Sequence, residues 1–278
     1  MSTKHSRRQF LAAGGWLAAA PWSAAAQPGA RTPVIDCHVH VGHAQGLTDP
    51  WTTIADGEET LRRMDEAGVD KACVFPISQE PYTYENANRE VAEIVRRRPN
   101  RFIGFAKHNP DTEKGRMRAM LLHEIRDLGL RGLKLHVLPG PELLDVCAEY
   151  GLPVVYHPGR VAFYDKIAGA YPTVDFILTH LGSNLSRDYR EHLAAIEMTR
   201  KYPNVYLETG TAVLTRYLER AVQELPAEKI ILGSDEPEVD IRIEVFKIRV
   251  LKLPREKEAL ILGGNMQRLL SKFKGGAL

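Results

Sequence analysis

The sequence predicts an α/β chain folded as one (β/α)8 barrel, a TIM barrel, and three observations carry that prediction. Eight apolar runs rich in β-branched residues recur at 34–40, 71–76, 102–107, 132–136, 153–157, 176–180, 205–208 and 230–235. Amphipathic stretches lie between them. The 278 residues, 44% of them hydrophobic, are enough for one large core. Strand and helix repeated eight times over about 250 residues is the pattern of a barrel rather than of two smaller domains. No linker, low-complexity tract or internal repeat divides the chain.

Taken in order, residues 1–26 stand outside the fold. Ser6-Arg7-Arg8-Gln9-Phe10-Leu11 opens a short apolar stretch, and Ser23-Ala24-Ala25-Ala26 offers small residues at a cut position. This is the layout of an export signal. The paired arginines before Phe10 and Leu11 resemble a twin-arginine signal. An amphipathic N-terminal helix or an uncleaved anchor is the alternative, but Gly14, Gly15 and Pro21 break the run short of a bilayer span. The expectation is a twin-arginine-type signal peptide over 1–26, handled by the twin-arginine export machinery. The product is then a periplasmic or secreted bacterial protein with no stable membrane anchor, and 27–278 form the barrel domain.

Within that domain the helical stretches have identifiable stops. Residues 58–67 end at Gly68, 86–98 at Pro99 and 114–128 at Gly129. Gly263-Gly264-Asn265 reads as a helix interruption, a turn before 266–273 pack on the barrel wall. The whole chain carries 37 basic and 35 acidic residues; 1–26 hold Lys4, Arg7 and Arg8 and no acid, which leaves 34 against 35. The one basic triplet beyond the signal, Arg96-Arg97-Arg98, closes a helical stretch, where cations suit the carbonyl end of the dipole. Nucleic acid is therefore not an expected partner. Cys37, Cys73 and Cys147 are odd in number and sit in apolar runs, as buried inert thiols do.

A barrel places its active site at the carboxyl ends of the strands. The residues there are His38 and His40, Lys107 and His108, Lys134 and His136, His157, His180, Glu208 and Asp235. His38 and His40, two apart on a strand, share a face and can grip one divalent metal, although the same spacing fits two polar strand-end residues. A single histidine is well explained by core hydrogen bonding. Polar residues at the same end of most strands are not, and only His123 and His192 fall on helical stretches.

Six segments in order, Asp36-Cys37-His38-Val39-His40, Gly132-Leu133-Lys134-Leu135-His136, Pro153-Val154-Val155-Tyr156-His157, Thr179-His180-Leu181-Gly182, Gly233-Ser234-Asp235-Glu236-Pro237 and Ile261-Leu262-Gly263-Gly264-Asn265, resemble the amidohydrolase superfamily. The likeness is to its amidohydrolase-related branch, which holds metal-dependent hydrolases and aminocarboxymuconate-semialdehyde-type decarboxylases. The resemblance implies His38, His40, His157 and Asp235 as metal ligands. It implies Asp235 and His180 as catalytic, Asp235 moving a proton and His180 facing the bound water or substrate. The implied cofactor is one divalent metal, Zn²⁺ first and Mn²⁺ as the alternative. Lys134 stands where binuclear members carry a carboxylated lysine bridging two metals; a one-metal site is preferred, with Lys134 and His136 contacting substrate. Glu208 is expected to pair with Lys134. Trp51, on the loop after the first strand, either stacks on a flat substrate or packs on its neighbours.

For function, the first expectation is hydrolysis of an ester, lactone or amide of a small molecule by a metal-activated water. Export and short loops favour it. The alternative is non-oxidative decarboxylation of an unsaturated or aromatic carboxylic acid, and a barrel that only binds a ligand comes third. Relatives in this branch are often dimers, so a homodimer is a further possibility.

Overall fold

A computed structural model of the chain describes residues 31–43, 54–55, 57–77, 83–157 and 159–275. The signal expected over 1–26 and the Trp51 loop lie outside the described residues. The strands are β1 (Ile35–His43), β2 (Ile54–Ala55), β3 (Lys71–Pro76), β4 (Phe102–Gly104), β5 (Ala106–Lys107), β6 (Leu133–Leu135), β7 (Val154–Tyr156), β8 (Phe176–Leu178), β9 (Val205–Glu208) and β10 (Ile230–Ile231). The helices are α1 (Glu58–Ala67), α2 (Glu85–Arg97), α3 (Met117–Arg126), α4 (Pro141–Tyr150), α5 (Asp165–Ala170), α6 (Tyr189–Lys201), α7 (Thr215–Glu224), α8 (Ile241–Arg249), α9 (Arg255–Ala259) and α10 (Asn265–Leu270). α1 stops where expected, because Gly68 takes φ +73 and donates its N–H to the last turn.

Apart from the antiparallel β1–β2 pair, all strand pairs are parallel. The run 102–107 is split at Phe105, whose N–H bonds to Val74 while Ala106 N–H turns to Gly132. It thus hands the chain from the β2-β1-β3-β4 sheet to the β10-β9-β8-β7-β6-β5 sheet. At the other seam, Cys37 N–H bonds to Leu232 O, Asp235 N–H to His38 O and His40 N–H to Glu236 O. These bonds join the first strand to the segment after the last, and the eight expected runs form the expected barrel.

Alternation along the strands sorts side chains into two layers. Val74, Val154, Tyr156, Phe176, Leu178, Val205, Leu207 and Ile230 join the large cluster under the helices. Cys73, Phe75, Ile103, Phe105, Val155, Ile177, Tyr206 and Ile231 form a smaller interior cluster, closed from below by Met266 and Leu269 of α10. Continuing the inward alternation leads to Lys107, Lys134, His157, Glu208 and Asp235 at the upper end. β1 departs from it: the register against β3 shifts between Asp36 and Val39. Ile35 and Cys37 belong to the interior cluster, yet His38 and His40 also turn inward beside Asp235. A bulge of this kind re-aims side chains next to a site.

The C-terminal segment differs from the expected turn. Leu260–Gly264 is a π-helical turn running straight into α10. Gly263 is there because Pro33 O and Ile35 N of the chain entering β1 occupy the space of a β-carbon. Asn265 then donates to Ala227 O and Ile230 O and pins α10 to the base of β10. Cys37, Cys73 and Cys147 are buried free thiols. Among the described residues no helix is long and apolar enough to cross a membrane.

Candidate metal centre

Three side chains converge where β1 meets the segment after β10. His38 Nε2 lies 3.0 Å and His40 Nε2 3.1 Å from the same Asp235 Oδ1. The opposite ring nitrogens are committed elsewhere: His38 Nδ1 is 3.3 Å from Glu208 Oε2, and His40 Nδ1 is 3.3 Å from Pro76 O. A carbonyl or carboxylate only accepts, so both Nδ1 atoms carry the ring proton. Burial holds His40 down at about 4, hence neutral. The Nε2 atom of His40 is therefore a lone pair aimed at a carboxylate oxygen, an arrangement that calls for a cation between them. Orientation of ligating imidazoles by an acceptor behind each ring is how proteins prepare a metal site. The donor set fits one divalent ion.

Asp235 is held in place by its backbone. It takes φ +71, in the left-handed region, and its N–H bonds to His38 O. Burial opposes charge on its carboxylate, but the His38 and His180 rings outweigh burial and keep it well below the ordinary range. Below it, Asp36 Oδ1 accepts from His38 N–H and Ser234 N–H at 2.9 and 3.1 Å, tying the two ligand-bearing segments to one carboxylate. Asp36 and Ser234 went unassigned in the sequence; the signal for Asp36 was an acid two residues before His38.

Lys134 is fully buried, with Nζ 3.0 Å from His38 Nε2 and 5.0 Å from the centre of the Phe75 ring. Burial lowers its pKa to about 8, while Asp235 and Glu208 resist the shift. The expected Lys134–Glu208 pairing gives way to a different one. Glu208 accepts instead from His180 N–H at 2.7 Å, from His38 Nδ1–H and from Gly210 N–H. A β-carbon at Gly210 or Gly233 would strike its carboxylate. Glu208 thus orients the His38 ring, and acts on Lys134 only through its charge.

His180 reaches the site by a different route from the one expected. β8 ends at Leu178, and His180 sits on a turn with φ +61 that brings the ring inward. Its Nε2 is 3.0 Å from His157 Nδ1 and 4.0 Å from Asp235 Oδ2. Together His38, His180 and Glu208 form a second group able to hold a cation, alongside His38, His40 and Asp235. His157 falls outside both groups and meets them through His180. It is half-buried and stacked on His136 with ring centres 5.1 Å apart. Burial pushes His157 down to about 3 and His136 well below its ordinary value. Thr211, whose hydroxyl touches His180 Nδ1 at 2.9 Å, is a site residue that the sequence offered no periodic signal for.

His108, a strand-end histidine by sequence, turns away from the centre. Its Nδ1 meets Glu113 Oε2 and its Nε2 meets Glu124 Oε2, both at 2.8 Å and all buried. Burial opposes charge on His108, but Glu124 and Glu113 more than offset it and raise the ring to about 9. His123, on α3, is exposed beside Asp127, and His192 is buried in α6 against Leu181 O and Ser186 Oγ. Trp51, a candidate substrate contact, lies outside the described residues.

Comparison with known proteins bears on this centre. The family model for amidohydrolases matches residues 35–272. Solved structures of similar fold include 2,6-dihydroxybenzoate decarboxylase from Rhizobium, at 17% identity and a TM-score of 0.66, covering 86% of this chain and 99% of that one. They also include 5-carboxyvanillate decarboxylase from Sphingomonas paucimobilis, at 16% identity and a TM-score of 0.67 with the same coverage. A dihydroxybenzoic acid decarboxylase from a Polaromonas species, solved with bound manganese and the inhibitor 2-nitroresorcinol, gives 20% identity and a TM-score of 0.62 over 86% of this chain and 97% of that one. No curated protein matches the sequence. These structures correct the first functional expectation, hydrolysis of an ester, lactone or amide, because the similar enzymes are decarboxylases. The physical grounds for hydrolysis, export and short loops, constrain neither the bond broken nor the atom that receives the proton. A family match that runs from the first barrel strand into the segment after the last helix makes the chain a member of the amidohydrolase family.

Proposed function

We propose that the protein is a metal-dependent, non-oxidative decarboxylase of an aromatic carboxylic acid, with manganese as its ion. The observation that carries this reading is the His38–His40–Asp235 group set beside the buried Lys134, in a fold similar to decarboxylases of hydroxylated benzoates. Manganese is favoured over the zinc of the sequence expectation because the Polaromonas enzyme was solved with it. His38, His40 and Asp235 would hold the ion, with His157 as the further ligand that the family resemblance implies. When bound, the ion supplies positive charge that binds and polarises oxygen groups of the substrate.

The chain's own residues account for the rest. Lys134, a cation without access to water, is placed to hold a substrate carboxylate or phenolate near the ligands. In the reaction the bond from ring carbon to carboxylate breaks, carbon dioxide leaves, and the electron pair stays on the ring carbon until a proton reaches it. Asp235 is ionised at rest, so its Oδ2, the oxygen not engaged by His38 and His40, would relay to the ring carbon a proton drawn from the Glu238 carboxyl. Glu238 resupplies it: partial burial and the Asp235 charge hold its carboxyl above the ordinary range, with a hydrogen bond between the two. His180, kept neutral by burial, orients the substrate edge.

The test is a panel of 2-hydroxybenzoates labelled with ¹³C in the carboxyl group, incubated with the manganese-loaded protein in D₂O. Labelled carbon dioxide with one deuterium at the vacated ring carbon is expected. Turnover of esters or lactones with no carbon dioxide from any acid refutes the reading. We further infer export by the twin-arginine route from Arg7 and Arg8; Arg7→Lys/Arg8→Lys should leave the full-length protein in the cytoplasm, and unchanged periplasmic recovery refutes that inference.

A further inference from the structure

α8 is apolar on two sides. Its inner face, with Ile241, Val245 and Ile248, packs in the large cluster under the helices. Its outer face carries Ile243, Phe246 and Val250, which stay 60%, 64% and 49% exposed. A helix that borders solvent on one side normally keeps that side polar. The preceding helix does so: the exposed positions of α7, among them Arg216, Glu219 and Arg220, are all polar.

The stripe continues onto the rim of the barrel. Lys247 Nζ reaches from α8 to Thr209 O at 2.9 Å and Ala212 O at 3.4 Å, which brings the helix against the segment holding the exposed Val213 and Leu214. Leu214 N–H bonds to Ser186 Oγ at 3.1 Å and Leu185 N–H to Thr211 Oγ1 at 3.4 Å, so the exposed Leu185 adjoins that segment. Tyr189, exposed as well, stacks on Tyr217 of α7 with ring centres 6.3 Å apart. Of the nine large hydrophobic side chains exposed among the described residues, all but Leu138 and Phe163 belong to this face. At such exposures they offer on the order of 700 Å² of apolar surface, above the roughly 300–600 Å² of the largest patch on a monomer and close to the ~800 Å² that each partner buries in a stable complex.

Two further observations say what covers the face. The cations of α8 are turned to partners within the chain: Arg242 pairs with Asp240 and Glu66, Lys247 pairs with Glu244, and Arg249 donates to Ala67 O. A surface for anionic lipid would direct such cations outward around its apolar residues. The stripe itself reads nearly the same in both directions, because Ile243 and Val250 stand three residues before and four residues after Phe246. A second α8 laid antiparallel sets Phe246 beside its mate and Ile243 of each chain against Val250 of the other, the self-matching that a twofold axis requires. We propose that this face seats a second copy of the chain about a twofold axis passing beside Phe246. The contact also covers Leu185 and Val213, each five residues beyond a side chain of the metal centre, His180 and Glu208. The proposal needs neither the ion nor the reaction assigned to that centre.

The experiment is sedimentation velocity of the full chain over a range of concentrations, as wild type, Phe246→Glu and Gln223→Glu, the last on the polar face of α7. Wild type and Gln223→Glu should run at twice the mass of one chain. Phe246→Glu, with an unchanged far-ultraviolet circular dichroism spectrum, should associate about 100-fold more weakly, since each dimer carries the change twice at its centre. If Phe246→Glu does not fold, cross-linking of Phe246→Cys decides the matter. Cys37, Cys73 and Cys147 are buried, so a short bismaleimide should join Phe246→Cys into covalent dimers and leave wild type and Gln223→Cys unjoined. Wild type that stays monomeric at every concentration, a dimer that survives Phe246→Glu, or Phe246→Cys that does not cross-link overturns the proposal. Monomeric wild type that floats with phosphatidylglycerol vesicles, while Phe246→Glu does not, overturns it too and makes the face a lipid-binding one.

Discussion

The clamp on His108 yields a pH dependence that can be worked through. Its ring is buried between Glu113 and Glu124, each 2.8 Å away, and its pKa stands at about 9 against 6.5 for an unperturbed imidazole. A raised pKa in the folded state means stability fully present below pH 6.5 and lost progressively as the pH climbs to about 9. At about 1.4 kcal/mol per decade, the contribution lost is roughly 3 kcal/mol. Lys134 and Lys229, both lowered by burial to about 8, act with the opposite sign from about pH 8 up to the ordinary lysine value of 10.5, since the fold gains as they lose their protons. The informative quantity is therefore a difference. Urea unfolding of wild type and of His108→Gln at pH 6.5 and 9.5 should show wild type losing about 2–3 kcal/mol more than the variant. Parallel pH dependence in the two proteins refutes the clamp as a charged one. Glu113 gives the acid-side counterpart: the His108 bond and charge overcome burial and lower its pKa, so its contribution is present above the ordinary glutamate value and fades as the pH falls below it.

Other expectations follow from the site and its supports. Asp235→Asn removes the carboxylate shared by His38 and His40 and should weaken Mn²⁺ binding at least tenfold, with the metal-free melting temperature nearly unchanged. Glu208→Gln has an amide group that must leave one of its buried N–H partners unpaired; a loss of about 1–3 kcal/mol by urea unfolding is expected. Gly263→Ala drives a methyl group into Pro33 O and should cost about 1–3 kcal/mol by the same assay. His123→Ala, on an exposed helical face, should alter neither stability nor Mn²⁺ affinity measurably.

The barrel was legible because strand periodicity and glycine stops are local signals. α1 could be bounded at Gly68 from the sequence because a left-handed glycine ends a helix without tertiary help. The cluster of polar strand ends was legible for a related reason, since strand ends in a barrel share one face, whereas the ligand set within it was implied by the family resemblance. What the sequence hid depends on partners distant along the chain. His108 reads like His40 in one dimension, and only the approach of Glu113 and Glu124 makes it a brace. Glu208 pairs with His38 rather than Lys134 because two glycines open a slot for it. The bulge in β1, the left-handed turn at His180 and the hydroxyl of Thr211 involve backbone conformations that side-chain patterning does not encode.

The seam between β1 and the segment after β10 has a consequence for biosynthesis. Two candidate ligands, His38 and His40, emerge from the ribosome early, whereas Asp235 appears nearly two hundred residues later. The backbone bonds from Asp235 N–H to His38 O and from His40 N–H to Glu236 O form only when both ends of the barrel exist. On the proposed ligand set a nascent or truncated chain offers an incomplete grip, and firm ion capture would come last in assembly, as a mark that translation has run almost to the end.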